Sequence, residues 1–98
     1  MNIVASELFG KQLAEIADFI AQDSPSRAAH FVESLGTRLA LVTNHPFACR
    51  RSIYGDRDDQ RDLIFKGYTI VYLIVRAKNE IVLLQIFAQN LPEGFDSA

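Results

Sequence analysis

The sequence predicts an α+β fold in which a short strand and two antiparallel helices precede a three-stranded antiparallel meander. One observation is the helical spacing of apolar residues between Ser6 and Val42, which is interrupted by the break Asp23-Ser24-Pro25. The other is a set of three runs rich in β-branched and aromatic residues, at 61–65, 68–75 and 81–87. Helices followed by consecutive strands are typical of an α+β domain.

The first strand is predicted at residues 2–5, where Ile3 and Val4 favour an extended backbone. This strand must join the sheet, since an isolated strand would leave its backbone groups unpaired. The helix that starts at Ser6 is amphipathic. Its predicted buried stripe is formed by Phe9, Leu13, Ile16 and Ile20.

The second helix is predicted to begin at Pro25, with Ser24 as its N-cap, because proline suits the first helical position. It is expected to end near Asn44-His45-Pro46. Its predicted buried face consists of Ala28, Val32, Leu35, Leu39 and Val42. Because the break at Asp23-Ser24-Pro25 is so short, the two helices are predicted to form an antiparallel hairpin. This hairpin is expected to cover one face of the sheet.

Residues 47–60 show neither the helical nor the strand spacing of apolar residues and are predicted to form an exposed loop. Lys66-Gly67 is predicted as the tight turn between the first two strands of the meander, and 77–80 as the turn before the last strand. Residues 1–98 are expected to form one domain, with a flexible tail from about residue 91.

Composition narrows the classes of function. The longest apolar run, Tyr68 to Val75, is too short to cross a bilayer, so no membrane partner is expected. The lone Cys49 and the lack of a signal-peptide pattern predict the cytoplasm. One cysteine, two separated histidines and the lack of a glycine-rich phosphate loop predict neither a metal site nor a cofactor.

Charge is unevenly distributed along the chain. The net charge of −2 predicts no sequence-specific binding of DNA. Residues 50–78, however, contain seven basic and four acidic side chains, which is a local net charge of +3. This segment is either the working surface of the protein or a solvated loop whose charges compensate one another.

Few residues are candidates for catalysis. His30 and His45 are not paired with serine or aspartate at any spacing typical of a catalytic triad. Arg61 and Tyr68 each begin a strand, where a side chain can reach a groove. Tyr72 is predicted to be a core residue whose hydroxyl is hydrogen-bonded.

Several motifs resemble the RelE/ParE toxin superfamily. Arg61-Asp62-Leu63 and Gly67 to Tyr72 are similar to its R-x-L and G-Y-x-I-x-Y strands, and Ile81 to Ile86 is similar to its apolar final strand. The break at Asp23 and the pair His45-Pro46 before an arginine loop also match. The resemblance covers nearly the whole chain. It implies the toxin of a bacterial type II toxin–antitoxin system, neutralised by a cognate antitoxin protein.

The resemblance leaves the target open, because ParE-like members poison DNA gyrase whereas RelE-like members cut mRNA on the ribosome. This chain has Thr69 where many of the nucleases have arginine, and Ala88-Gln89-Asn90 where they have a further basic residue. The leading hypothesis is therefore a ParE-like, non-enzymatic toxin that binds gyrase. Its predicted target-binding residues are Arg50, Arg51, Arg57, Arg61 and Lys66.

Two alternatives stay open. In a RelE-like endoribonuclease, Arg61 and Tyr68 would be the catalytic residues. A degenerate member of the superfamily would have no toxicity. Under all three hypotheses we expect an antitoxin segment to add along a free edge of the sheet or to lie in a groove beside the helices.

Overall fold

The computed structural model describes residues 1–88, in which a pair of helices packs against one face of a five-stranded sheet. The elements are β1 Asn2–Ala5, α1 Glu7–Asp23, α2 Pro25–Val42, β2 Arg50–Arg51, β3 Gln60–Phe65, β4 Tyr68–Val75 and β5 Glu80–Ala88. The predicted α+β order is confirmed. The tail predicted from about residue 91 lies outside the described residues.

Both helices begin at a serine whose hydroxyl caps the first turn. Ser6 Oγ accepts a hydrogen bond from the N–H of Phe9 at 3.0 Å, and Ser24 Oγ accepts one from the N–H of Arg27 at 3.2 Å. Pro25 occupies the first turn of α2, as predicted. The helix ends at Val42, slightly before the predicted Asn44-His45-Pro46, and the chain continues in turns.

The predicted buried face of α2 is wrong at one position. Val32 is 41% exposed, and Phe31, which is 7% exposed, lies in the core instead. The Phe31 ring makes edge-on contacts with Phe65 at 5.6 Å and with Tyr68 at 5.4 Å between ring centroids. Both residues fit a helical stripe, and the larger aromatic ring is the one that reaches the sheet.

The sheet has the strand order β1-β5-β4-β3-β2. β1 joins it as predicted and pairs in parallel with β5, with Asn2 opposite Glu80 and Ala5 opposite Leu83. Beyond β1, the Ser6 N–H donates to Leu83 O at 2.9 Å. The remaining neighbours are antiparallel.

The turn between β3 and β4 has the predicted position. Lys66 and Gly67 both have positive φ angles, of 49° and 86°. Two consecutive positive φ angles are typical of the type I′ turn, whose twist matches that of the flanking strands. Asn79, with φ 53°, completes the turn between β4 and β5.

The prediction of an irregular loop over residues 47–60 is wrong in part, because this segment contains β2. Arg50 lies opposite Asp62 and Arg51 opposite Arg61, and the Ser52 N–H donates to Gln60 O at 2.8 Å. A strand of two residues is too short to produce a recognisable period in the sequence.

The two faces of the sheet differ. The face toward the helices contributes to a single core cluster, in which Leu63, Ile70, Tyr72, Ile74, Ile81, Leu83 and Ile86 are buried. The opposite face, here called the outer face, includes the cross-strand row Ile64, Thr69 and Phe87. Thr69 and Val71 are nevertheless 0% exposed.

Candidate functional site

The segment 52–59, here called the outer loop, is fastened to the outer face through a buried carboxylate. The Asp62 side chain is 0% exposed. Its Oδ2 accepts hydrogen bonds from Arg50 Nε at 3.3 Å and from the Ile53 N–H at 3.2 Å. A cation and a backbone donor both stabilise Oδ2, whereas Oδ1 is buried and has no hydrogen-bond partner within residues 1–88.

Further contacts hold the outer loop in one conformation. The Tyr54 ring meets Phe87 of β5 edge-on, with 5.1 Å between centroids, and the Tyr54 N–H donates to Ser52 Oγ at 3.0 Å. A Cβ atom at Gly55 would lie 2.6 Å from Oε1 of Gln60, so only glycine fits at this position without a shift of that side chain.

Two of the predicted target-binding arginines lie on or beside this loop and are exposed. Arg51 donates to Asp56 O at 2.9 Å. Arg57 donates two hydrogen bonds of 2.7 Å to the carboxylate of Asp59. The hydrogen bond from Arg57 lowers the pKa of the Asp59 carboxyl group and raises the pKa of the Arg57 guanidinium. Both groups therefore stay charged around neutral pH.

Arg61 has a different environment from the other predicted site residues. Its side chain is only 13% exposed. Its guanidinium donates to Cys49 O at 3.0 Å and to Asp58 O at 3.0 Å, and lies 4.8 Å from the centroid of the Phe47 ring. Arg61 thus joins the start of β3 to residues 47–49 and to Asp58, which is an architectural role.

Lys66 and Tyr68 lie at the far end of the β3–β4 hairpin from Arg61. Lys66 is exposed in the turn, with its amino group 5.5 Å from the centroid of the Phe65 ring. Tyr68 is half-buried against Phe31. The structure therefore groups Arg50, Arg51 and Arg57 on one segment, with Arg61 opposite Arg51 across β2 and β3, and places Lys66 and Tyr68 at the other end of the hairpin. Almost the whole length of β3 therefore separates Arg61 from Lys66.

A groove of about 570 Å³ lies between the C-terminal end of α2 and β3. Leu41 and Ile64, which are 56% and 39% exposed, contribute apolar surface to it. Arg38 contributes positive charge, and Arg50 also lines the groove, paired with the Asp62 carboxylate. Because β2 pairs only with Arg61 and Asp62, the next residues of β3 form an open edge beside this groove.

Neither histidine lies on the outer loop. His30 Nε2 lies 3.4 Å from Ser34 Oγ on the exposed surface of α2, and His45 lines the groove. Within residues 1–88, no three side chains of the metal-ligating types come together. No helix in that part of the chain is both long and apolar enough to cross a membrane.

Sequence reasoning missed two residues of this region. Ile53 is 67% exposed and Tyr54 is 47% exposed, although both are large and apolar. The sequence did contain a signal, because two large apolar residues lie in an arginine-rich segment that has neither the helical nor the strand spacing of apolar residues. That pattern is typical of a displayed loop and not of a core strand.

Comparison with known proteins places this architecture in a family. Residues 3–90 match the family model described as the ParE toxin of the type II toxin–antitoxin system parDE. No curated protein shows a significant match to the chain.

Solved structures share the fold at low sequence identity. A chain of the chromosomal ParDE toxin–antitoxin system from P. aeruginosa matches with a TM-score of 0.73 and 17% identity, over 92% of this chain and 97% of that chain. The isolated E. coli RelE toxin matches with a TM-score of 0.67 and 16% identity, over 96% and 89%. A chain of the intact E. coli RelBE complex matches with a TM-score of 0.61 and 16% identity, over 88% and 97%.

The family model covers far more than half of the chain, and the fold of the chain matches that of the neighbouring structures. The chain therefore belongs to the family of ParE toxins of the type II toxin–antitoxin system parDE.

Proposed function

We propose that this chain is a ParE-like toxin that binds and inhibits DNA gyrase in the bacterial cytoplasm and is neutralised by a cognate antitoxin. It acts by binding and not by catalysis. The observation that carries the proposal is the outer face of the sheet. Its centre at Thr69 and Val71 is buried, whereas the outer loop beside it offers exposed Arg51 and Arg57 to a partner.

Cleavage of RNA has less support from these residues. It needs a group that activates the 2′-hydroxyl and cations that stabilise the charged transition state. Thr69 is 0% exposed, and the donors of Arg61 are directed to Cys49, Asp58 and other groups of its own chain. Residues 89–98 contain no lysine, arginine or histidine.

The groove between α2 and β3 supports a specific mode of antitoxin binding. An extended antitoxin segment pairs with the open edge of β3 and places apolar side chains against Leu41 and Ile64. Its acidic side chains meet Arg38 and Arg50 at the rim. Binding there also covers an edge that would otherwise be free to pair with other chains.

Labelled thymidine and labelled methionine, followed after induction of this chain alone in a bacterium, test the choice of target. We expect thymidine incorporation to fall first, and purified chain to inhibit supercoiling by purified gyrase. An earlier fall in methionine incorporation would contradict the proposal in favour of the ribosome. Unchanged growth with soluble protein would contradict it in favour of a non-toxic member.

Arginine substitutions test the mode of action. We expect Arg57→Ala to weaken inhibition of gyrase several-fold without abolishing it, because a binding surface loses activity gradually. Arg27→Ala is the matched control, since Arg27 also pairs with a neighbouring aspartate, Asp23, and its side chain is 72% exposed. Equal effects of the two substitutions would argue against the outer loop.

A further inference from the structure

We propose that the free edge of β1 pairs with the same strand of a second copy, so that two toxin molecules form a two-fold symmetric dimer. The pairing is antiparallel and centred on Val4, and it joins the two sheets into one continuous sheet. The dimer does not depend on the proposed target, because it uses neither the outer loop nor the groove beside α2.

The strand β1 presents unpaired backbone groups at the edge of the sheet. It comes first in the order β1-β5-β4-β3-β2, so only β5 lies beside it. The N–H groups of Asn2 and Ser6 each donate to a backbone carbonyl on the β5 side at 2.9 Å. In a parallel pair, successive residues alternate between facing the neighbouring strand and facing away from it. The N–H and C=O groups of Ile3 and Ala5 therefore face away from β5.

Within residues 1–88, β1 lacks the features that usually protect an edge strand. All four of its residues are exposed, with Ile3 at 36% and Val4 at 41%, and none of them is charged or is a proline. The opposite edge differs, because β2 consists of Arg50 and Arg51. Since proteins usually protect an exposed edge with charges, proline or a covering element, the bare edge of β1 indicates a partner strand.

The symmetry of the open groups selects a second copy as that partner. Ile3 and Ala5 lie on either side of Val4, so an antiparallel copy centred on Val4 places Ile3 opposite Ala5 of the second copy. Each such pair exchanges both of its N–H···O bonds, which satisfies every open group of Ile3 and Ala5. Because β1 has no charge, a second copy is not repelled, and no charge favours a foreign acidic or basic segment.

The side chains also fit this register. Ile3 is aligned with Ile81, which lies in the core below the helices, so Val4 lies on the outer face. In the dimer the two Val4 residues meet at the symmetry axis as a non-hydrogen-bonded pair, with Cα atoms about 4.5 Å apart. Cross-strand pairs of β-branched side chains stabilise a sheet.

The interface is small, because each copy contributes one strand of four residues. Interfaces below about 1,200 Å² are typical of weak and transient complexes. We therefore expect a dissociation constant of about 10–100 μM. Because β1 and β2 lie at opposite edges of the sheet, the dimer leaves the groove beside α2 open to the antitoxin in each copy.

The test compares substitutions in β1 with a matched control. Sedimentation velocity of the purified chain, from about 1 μM to about 300 μM, measures the dissociation constant of the dimer. Val4→Lys places two like charges at the symmetry axis, and Val32→Lys makes the same change on α2 at a residue that is also 41% exposed. Ala5→Pro removes an N–H group that faces away from β5, where a strand tolerates proline. Thermal unfolding shows whether each variant is folded.

We expect a monomer–dimer equilibrium for wild type, and dimerisation at least about tenfold weaker in Val4→Lys and in Ala5→Pro. Val32→Lys should stay within about threefold of wild type. A wild-type chain that remains monomeric at the highest concentration would overturn the inference. A dimer that both β1 variants leave intact would also overturn it, as would equal losses in Val4→Lys and Val32→Lys.

Amide hydrogen exchange of the wild-type chain locates the pairing without any substitution. The N–H groups of Ile3 and Ala5 should exchange at least about tenfold more slowly at the concentrations that favour the dimer. The Ser6 N–H, which is already bonded to Leu83 O, should show no such dependence. Protection of Ile3 and Ala5 that appears only with added antitoxin would overturn the dimer and assign this edge to the antitoxin. A target other than gyrase would change none of these results, so the two proposals fail separately.

Discussion

At the scale of single residues, Tyr72 shows how burial and one hydrogen bond determine a role. The side chain is 0% exposed, and its hydroxyl donates to Pro46 O at 2.6 Å. This contact ties the chain after α2 to the middle of β4. Tyr72 was predicted from its strand position to be a core residue with a bonded hydroxyl, and the structure confirms it.

Replacing Tyr72 with phenylalanine should lower the free energy of unfolding by about 1–2 kcal/mol, because Pro46 O loses its donor in a buried site. For a domain of this size the melting temperature should fall by roughly 4–8 °C for each kcal/mol. Urea denaturation measures the change. Tyr68→Phe, at a half-buried position, is the control and should have a smaller effect.

The same residue predicts a dependence of stability on alkaline pH. Burial raises the pKa of the Tyr72 phenol above its usual value of 10.0. The unfolded chain therefore releases this proton first, so the stabilisation that the protonated Tyr72 gives is fully present below about pH 10 and is lost as the pH rises further. Tyr72→Phe should have a flatter stability profile between pH 9 and about 11. An unchanged slope would contradict this assignment.

Arg61 is expected to be essential for folding and not for chemistry. Arg61→Ala should lower the free energy of unfolding by about 2–4 kcal/mol, because several carbonyl groups and a ring lose a buried cation. Arg61→Lys should recover only part of this loss, since an ammonium group cannot reproduce the planar contacts. Thermal unfolding together with growth arrest measures both effects.

A variant Arg61→Ala with wild-type stability and no toxicity would contradict the architectural role and restore Arg61 as a catalytic candidate. The sequence indicated that Arg61 was important but not why. Its partners Cys49 and Asp58 belong to a segment without a period, so the path that brings them together depends on the tertiary structure.

At the scale of elements, two glycines should respond in opposite directions to the same substitution. Gly36 lies inside α2 with open space around it, so Gly36→Ala should stabilise the protein by about 0.5–1 kcal/mol. Gly67 has a φ angle of 86° in the β3–β4 turn, so Gly67→Ala should destabilise it by about 1 kcal/mol. Urea denaturation of both variants checks the signs. Two changes of the same sign would contradict the assigned turn geometry.

The elements also show which parts of the fold can be predicted from local pattern. Caps and turns could be predicted because Ser24, Pro25 and Lys66-Gly67 act on their own neighbours. The strand β2 could not, because Arg50 and Arg51 become extended only through pairing with β3. The choice of Phe31 over Val32 was likewise decided by the shape of the sheet below the helix.

At the scale of the whole molecule, the antitoxin binding proposed at the open edge of β3 and the adjacent groove would make the stability of the toxin depend on its partner. Antitoxin at about 100 times its dissociation constant should stabilise the toxin by about 2.7 kcal/mol. Leu41→Glu, at a groove residue that is 56% exposed, should weaken antitoxin binding at least tenfold, judged by the effect expected of an interface anchor.

Leu8→Glu on α1, where the residue is 51% exposed, is the matched control and should not affect antitoxin binding. Titration calorimetry with purified antitoxin measures both affinities. Loss of binding in Leu8→Glu, with wild-type affinity in Leu41→Glu, would place the antitoxin on another surface. A groove beside the helices was predicted, but its lining residues were not, because its walls come from α2 and from β3, which are separated in the chain.

The parallel pairing of β1 with β5 has a consequence for synthesis on the ribosome. Asn2 is the partner of Glu80, and Ala5 is the partner of Leu83, so the first strand waits for almost the last described segment before it can pair. Contacts so distant in sequence form late because their loop-closure entropy must be overcome first. A nascent chain therefore cannot complete the pairing of β1 with β5 until Leu83 has emerged from the exit tunnel.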